Sequence, residues 1–353
     1  MSTKLIFDSG INIDYQRSNH ILATALDTII AWHSFWDPRI LLHPLRPIIQ
    51  RYYGRIFKRY VRRELDDQFG KMKNNLDTNA SRRSHSIIHL ALEASKSGVE
   101  SHEPKLNDEF ADILTNQIRL FLFVGKDTTS SSIAFMYHLL SKHPQVLLQL
   151  QREHSAVFGP DASQAAALIK AQPTLLNQCR YTLAVIKETL RLYPPAANIR
   201  QGMPDLTTLS GACIPTSDFY IIVNHHAMHQ NPRLWVKGTD FLPERWLVES
   251  GHELYPPNGA YRPFDIGPRA CIGQILSITE MRIVAIMTAR TFNITPAYKE
   301  WDLMQDSRSS PWSNLKRWAC GKQRESVNGD RAYQTEKAGT HPSDGYPCRV
   351  SIV

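Results

Sequence analysis

The sequence predicts a mainly α-helical fold with small β-sheets. Over the first three fifths of the chain, apolar residues recur at helical spacing, whereas alternation of apolar and polar residues is confined to residues 199–223. Neither an internal repeat nor a linker divides the chain, so residues 1–353 are predicted to form a single domain. The content of 42% hydrophobic and 21% charged residues excludes a disordered or collagen-like chain.

The predicted helices are separated by polar or proline-containing breaks. Pro144 ends one helix and suits the first turn of the next, and Pro194 ends another. Residues 220–223 are the best strand candidate, and residues 297–353 are predicted to be polar and irregular. The predicted helices cover residues 42–74, 85–95, 106–142, 144–158, 175–192 and 271–291.

Charge and cysteine content limit the classes of function. Lys and Arg number 41 and Asp and Glu 33, so the formal net charge is +8, which suits an anionic cofactor, an acidic partner or a membrane surface. Five scattered cysteines favour a reducing compartment, or one special thiolate, over a disulfide framework. With no secretion signal and no apolar run of about 18 residues, we expect any membrane contact to be peripheral.

The ten residues from Phe264 to Gly273 are the most informative stretch. Their pattern, F-x-x-G-x-R-x-C-x-G, places Cys271 after a Gly-Pro-Arg turn and before a predicted helix. The helix N-terminus and Arg269 favour the thiolate form, and Gly267 and Gly273 let the backbone approach a flat ligand. Such a thiolate is a suitable axial ligand for haem iron. The simpler alternative is a buried structural cysteine in a Gly-rich turn.

With this motif the sequence resembles the cytochrome P-450 family of haem-thiolate monooxygenases, over most of the chain after residue 80. The resemblance implies a haem b whose iron is bound by Cys271, with Phe264, Gly267 and Gly273 against the cofactor and Arg269 on a propionate. Arg200 is a second candidate for a propionate and His229 a third. His225, His226 and His229 also suggest a zinc site, which the lack of a nearby carboxylate or cysteine ligand disfavours.

Two further motifs are similar to those of the same family, in the same order. Glu188-Thr-Leu-Arg191 matches its E-x-x-R helix motif, and Pro243-Glu-Arg245-Trp matches its P-E-R-F segment. The resemblance implies a structural, salt-bridged triad of Glu188, Arg191 and Arg245 that holds a meander and Cys loop over residues 224–273. The alternative is an exposed ion pair on one helix face.

Gly125-Lys-Asp127-Thr128-Thr, within the predicted helix 106–142, is similar to the oxygen-activating motif of the family. A glycine inside a helix costs about 1 kcal/mol, which room for dioxygen beside the cofactor would justify. The resemblance implies that Thr128 and Asp127 handle the protons of oxygen activation. The alternative is a helix kink with two surface hydroxyls.

Part of the family pattern has no counterpart. Trp32, Trp36 and Arg39 do not have the spacing of the W-x-x-x-R motif that binds a haem propionate in the family. The resemblance therefore describes a cytochrome P-450 fold lacking roughly its front third, and we expect the chain to hold haem weakly or not at all. Residues 306–327 are interpreted as either an insertion loop or a translated intron. Residues 329–334 and 345–350, with Cys348 in a strand, resemble the end of fungal secondary-metabolism members.

The function implied is a monooxygenase that inserts one oxygen atom of O2 into, or desaturates, a lipophilic intermediate of fungal secondary metabolism. Electrons would come from NADPH through NADPH–cytochrome reductase. The full-length family lies on the cytoplasmic side of the endoplasmic reticulum, whereas this chain, without an anchor, is expected to be soluble.

Two alternatives belong to other classes. The first is a non-catalytic remnant that does not retain haem. The second is a nucleic-acid binder built on the cations from Arg51 to Arg63 and the aromatic residues among them. We expect no nucleic-acid partner, because a solvated or membrane-facing helix explains the same pattern.

Overall fold

The computed structural model describes residues 20–33, 38–74, 86–96, 106–204, 206–207, 211, 213–308, 326–337 and 339–353. The predictions for the N-terminal ten residues, the break after residue 74 and most of segment 306–327 lie outside these ranges. The chain divides into two compact units, residues 1–127 and 128–353. The single-domain prediction relied on the absence of a linker, and the boundary between the units falls inside a helix.

Helices dominate the described residues, which confirms the predicted class. The helix predicted from residue 175 begins as a 3-10 turn, and the α-helix itself starts at Arg180. The helix predicted from Cys271 starts at Gln274. The α-helices are α1 (Ile21–Ala31), α2 (Pro38–Leu41), α3 (Arg46–Asn74), α4 (Ile87–Lys96), α5 (Asp108–Lys142), α6 (Pro144–Phe158), α7 (Ala165–Ala171), α8 (Arg180–Leu192), α9 (His225–Gln230), α10 (Gln274–Thr288) and α11 (Tyr298–Arg308).

The described strands pair into small antiparallel sheets of two strands each. The prediction that residues 297–353 are irregular is wrong, because they contain α11 and three strands. Their partners lie far away in sequence or follow a tight turn, so no local alternation marks them. The pairs are β1 (Asn198–Gln201) with β4 (Tyr220–Val223), β2 (Leu206–Thr207) with β3 (Cys213–Ile214), β5 (Phe292–Pro296) with β8 (Cys348–Ile352), and β6 (Gln334–Lys337) with β7 (Gly339–Pro342).

Helix α3, in the first unit, has an apolar face and a basic face. Phe57, Val61 and Leu65 follow one another at four-residue intervals and are buried in the core of that unit. Because Phe57 is buried, the aromatic residues among the cations do not form a continuous platform for stacking on bases. The nucleic-acid alternative is weakened accordingly. The basic face carries four exposed arginines at the same spacing, none of them in an ion pair with a described residue: Arg51, Arg55, Arg59 and Arg63.

Helix α8 is the centre of the second unit and is buried over most of its length. Its N-terminal amides are capped from a neighbouring helix, since Glu153 of α6 accepts hydrogen bonds from the backbone N–H groups of Tyr181 (2.6 Å) and Thr182 (2.8 Å). An acidic cap at a helix N-terminus satisfies otherwise unpaired donors. No helix within the described ranges is long and apolar enough to cross a membrane.

Candidate functional site

The loop before α10 presents the thiol of Cys271 at the surface. The chain turns at Asp265 and Gly267, whose φ angles of 59° and 72° lie in the left-handed region that glycine and aspartate tolerate best. The N–H of Cys271 then donates to the carbonyl of Phe264 at 2.8 Å and closes the loop. Cys271 is free and exposed, so the alternative of a buried structural cysteine is wrong.

The surroundings of this thiol suit an apolar ligand that carries acidic groups. Ile272 and Ile275 are 86% and 82% exposed, and Ile266 is also exposed. Exposed apolar side chains that cluster in this way are typical of a binding surface. Arg269 is exposed and forms no ion pair with a described residue. A thiol, an apolar surface and an unpaired cation together fit a haem, which needs an axial ligand, apolar contacts and a partner for its propionates.

Gly273 lies beside the thiol of Cys271. A Cβ atom placed on Gly273 would meet the Sγ of Cys271 at 3.7 Å as its nearest neighbour. The same glycine occupies the N-cap position of α10. Cys271 thus lies just ahead of a helix N-terminus, where the helix dipole favours a negative charge.

Arg200 lies against the Cys loop. It stands on β1, and its guanidinium forms an ion pair with Asp265 and donates to the carbonyl of Ile199 at 3.1 Å. Asp265 had not been singled out from the sequence, because nothing in the motif marks the residue after Phe264 as a partner for a distant arginine. The ion pair leaves further guanidinium donors of Arg200 available, since arginine carries five.

The assignment of His229 as a third partner for a haem propionate is wrong. His229 is fully buried, and its Nε2 accepts a hydrogen bond from the backbone N–H of Arg262 at 2.9 Å. Its Nδ1 must therefore carry the proton, which it donates to the carbonyl of Arg191 at 3.2 Å. Burial, followed by the nearby His225, lowers the pKa of His229 to about 3, so the ring is neutral at pH 7.

Glu188 is the centre of a buried ion network. Its carboxylate accepts from Arg191 Nη2 (2.7 Å) and Nε (2.9 Å), and from Arg245 Nε (3.0 Å). Trp246 Nε1 donates to it at 3.0 Å and the backbone N–H of Leu242 at 3.1 Å. Glu188 and Arg191 have no exposed surface, which excludes the alternative of an exposed helix pair. The sequence had not indicated the two additional donors.

The two arginines of this network hold the meander. Arg191 Nη1 donates to the carbonyls of His229 and Gly238, each at 2.6 Å, and Arg245 donates to the carbonyls of Val236 and Lys237, each at 3.3 Å. The carbonyl of His229 in the last turn of α9, and three carbonyls outside helices and strands, thereby gain charged donors. The structure brings together Glu188, Arg191 and Arg245 as the sequence predicted.

The motif around Gly125 lies on an uninterrupted stretch of α5. A Cβ atom placed on Gly125 would meet no heavy atom within 4 Å, so there is open space beside the helix at this point. Lys126 is exposed and forms an ion pair with Asp27 of α1. Asp127 and Thr128 are both half-buried. The roles of these two residues in oxygen activation stay predictions.

Comparison with known proteins points to one family. The model of the family described as Cytochrome P450 matches residues 1–314. The chain is 38% identical to cytochrome P450 monooxygenase polC of Polytolypa hystricis, over 99% of this chain and 60% of that protein. It is 30% identical to cytochrome P450 monooxygenase acrF of Aspergillus aculeatus, over 88% of this chain and 63% of that protein.

A solved structure shows the same fold. The crystal structure of a cytochrome P450 (CYP102L1) matches with a TM-score of 0.66 and 22% sequence identity. The match covers 94% of this chain and 64% of that chain. The chain therefore spans about three fifths of the length of these related proteins.

Proposed function

Because this chain belongs to the cytochrome P450 family, we propose that it is a haem-thiolate monooxygenase whose iron ligand is Cys271. The observation that carries the proposal is the exposed thiol of Cys271 beside exposed apolar side chains and Arg269, which has no ion-pair partner among the described residues. When bound, a haem b supplies the activation of dioxygen at its iron.

The residues of the chain have separate tasks in this proposal. Cys271 holds the iron, while Arg269 and Arg200 bind the propionates. Phe264, Gly267 and Gly273 shape the loop, so that its backbone stays close to the cofactor. Thr128 and Asp127 are proposed to hold and move protons during oxygen activation, and the open space at Gly125 leaves room for a small ligand.

We propose a lipophilic small molecule as the substrate, O2 as co-substrate and a reductase that passes on electrons from NADPH. Relatives named as cytochrome P450 monooxygenases in Polytolypa hystricis and Aspergillus aculeatus support a role in fungal secondary metabolism. The reaction would be a hydroxylation or a desaturation.

Peripheral contact with the cytoplasmic face of the endoplasmic reticulum is proposed for the region around the start of α3. Leu42, Leu45, Ile48 and Tyr52 are exposed there, and the row of exposed arginines on α3 begins at Arg51. Apolar side chains beside cations are typical of segments that rest on an anionic lipid surface.

The reduced carbon monoxide spectrum of the haem-loaded chain tests the iron ligand. We expect the strongly red-shifted Soret band of a thiolate complex in the wild type and in Cys213→Ser, which alters another exposed cysteine. Cys271→Ser should lose that band. A serine variant that keeps it would refute the assignment of the ligand.

Haem titration of the same proteins separates the proposal from its alternative. The sequence leads us to expect that the chain holds haem weakly or not at all, and Cys271→Ser should weaken any binding further. A wild-type chain that takes up no haem at all would support the non-catalytic remnant instead.

A further inference from the structure

Two pairs of hydroxyl groups join α5 to α10, the helix that follows Cys271. Thr129 Oγ1 and Ser277 Oγ are 3.1 Å apart, near the start of α10. The hydroxyl of Tyr137 bonds to Thr288 Oγ1 at the other end of α10. All four residues belong to the second unit, and the apolar core of that unit includes Met281 and Ala285 between the two bridges.

The bridge at Ser277 is made by two hydroxyl groups of a kind that, within a helix, often donate to a backbone carbonyl of the same helix. Thr115 and Thr189 donate to the carbonyl four residues earlier in their own helices. Thr129 and Ser277 have no such bond. Among the described residues, the hydroxyl of Thr129 bonds only to Ser277, and the hydroxyl of Ser277 bonds only to Thr129. Thr129 is also buried, so its hydroxyl would lose its partner without gaining water if Ser277 were absent.

The start of α10 needs such an anchor. Its N-cap is Gly273, which has no side chain to bond the free N–H groups of the first turn. Two backbone hydrogen bonds connect the Cys loop to this turn: one from Gln274 N–H to the carbonyl of Cys271 at 3.4 Å and one from Ser277 N–H to the carbonyl of Gly273 at 2.8 Å. The first is long and therefore weak. Ser277 thus makes both the better backbone bond and the bond to α5.

We infer that Ser277, together with Thr129, is a positioning pair that holds the uncapped first turn of α10, and the Cys271 thiol ahead of it, against α5. Thr129 directly follows Thr128, so the pair also relates the position of the thiol to the residue proposed to handle protons. The anchoring is a property of the protein alone. Its effect on iron ligation rests on the proposed function.

Hydrogen exchange of the haem-free chain tests the anchoring. Ser277→Ala should raise the exchange rate of the amides of residues 274–278 about fivefold, the factor that corresponds to a net hydrogen bond of about 1 kcal/mol. Alanine is the better helix former, so local propensity alone predicts the opposite change. Thr129→Val leaves the sequence of α10 unchanged and should give the same increase.

The second bridge supplies the matched control. Tyr137→Phe removes a hydroxyl bond between the same two helices, at the far end of α10. It should leave the exchange rates of residues 274–278 unchanged. Ser277→Thr, which keeps the hydroxyl that Ser277→Ala removes, should show the exchange rates of the wild type. Wild-type exchange in both Ser277→Ala and Thr129→Val, or an equal increase in Tyr137→Phe, would overturn the inference.

The haem-loaded chain tests the consequence for the ligand. Ser277→Ala and Thr129→Val should shift the ferric spin-state ratio and the position of the reduced carbon monoxide Soret band, and the double variant should shift them no further. Tyr137→Phe should keep the wild-type spectrum. Unchanged spectra in the two single variants would refute the positioning of the thiol. If the wild type fails to bind haem, the proposed function fails while hydrogen exchange still decides the anchoring.

Discussion

At the scale of single residues, the buried carboxylate of Glu188 shows how one charged group depends on several hydrogen-bond donors. One carboxylate compensates two buried guanidinium groups and also accepts an indole and a backbone N–H. Burying a charge is costly unless it is paired and hydrogen-bonded, and each partner here depends on the others. Because these contacts join α8 to the meander, we expect Glu188 to have a structural role.

Glu188→Ala should therefore unfold the second unit or leave it unable to bind haem. The substitution leaves Arg191 and Arg245 buried without a counter-charge, which costs about 3–5 kcal/mol. Circular dichroism and the midpoint of urea unfolding measure the loss. The exposed Glu249→Ala is the control and should change the midpoint little. Folded, haem-loaded but inactive Glu188→Ala would show that the role is catalytic.

At the scale of elements, local patterns in the sequence located most helices but not what joins them. The long helix α5 and α6 were predicted to within two residues, because hydrophobic periodicity and Pro144 act over a few residues. In the tail only Cys348 was placed in a strand, and β8 begins there. The extent of β8 did not follow from the sequence, since its partner β5 lies some fifty residues earlier and β8 carries no buried face. The bridge from Thr129 to Ser277 joins residues 148 positions apart, so no local signal can indicate it.

In the candidate site, too, local motifs were predicted and contacts between distant residues were not. Cys271, Arg269 and the glutamate–arginine triad follow from motifs that are contiguous in sequence. The pairing of Arg200 with Asp265 and the burial of His229 depend on how the meander folds back, which leaves no trace in spacing. His229 was a candidate because haem propionates call for cations, whereas the structure buries its ring in the core.

Helix α3 leads to a prediction about lipid binding. Changing Arg55, Arg59 and Arg63 together to Gln should weaken sedimentation with anionic vesicles more than tenfold, since each cation near such a surface contributes about 1 kcal/mol. Neutral vesicles should bind the wild type and the variant alike. The control replaces three exposed cations of the second unit by Gln: Lys170, Arg180 and Arg233. Equal loss in the control would mean that net charge, and not this face, governs binding.

At the scale of the second unit, one polar network connects the buried centre to the Cys loop. From Glu188 it passes through Arg191 to His229, whose ring accepts from the N–H of Arg262. The carbonyl of Arg262 in turn accepts from the N–H of Asp265, the partner of Arg200. Each member donates or accepts a hydrogen bond that fixes the position of the next, so the network orders the loop that carries Cys271. A change of protonation in its interior should therefore affect the whole unit.

Two buried neutral histidines, one of them in this network, make the stability of the unit sensitive to acid. Burial lowers the pKa of His229 to about 3 and that of His154, also fully buried, to about 4. Both have a pKa of about 6.5 in the unfolded chain. Between these values and pH 6.5 the unfolded state binds more protons than the folded state, so the free energy of unfolding rises with pH. The contribution of the two neutral histidines to the free energy of unfolding is fully present above pH 6.5, and it is lost as the pH is lowered through this window.

We expect each of the two histidines to contribute a loss of about 1.4 kcal/mol per pH unit below pH 6.5. Urea unfolding of the second unit at pH 7, 6 and 5 measures it, and His229→Asn should show a shallower dependence despite a lower midpoint at pH 7. Exposed His252→Asn serves as the control with the wild-type slope. Burial raises the pKa of Asp330, but hydrogen bonds from His138 and Lys142 outweigh it and hold the pKa well below its usual value. Asp330 therefore adds to the loss only near and below pH 4, where its carboxylate takes up a proton in the unfolded chain but stays ionised in the folded one. A wild-type midpoint that stays constant from pH 7 to pH 5 would contradict the buried, neutral state assigned to both rings.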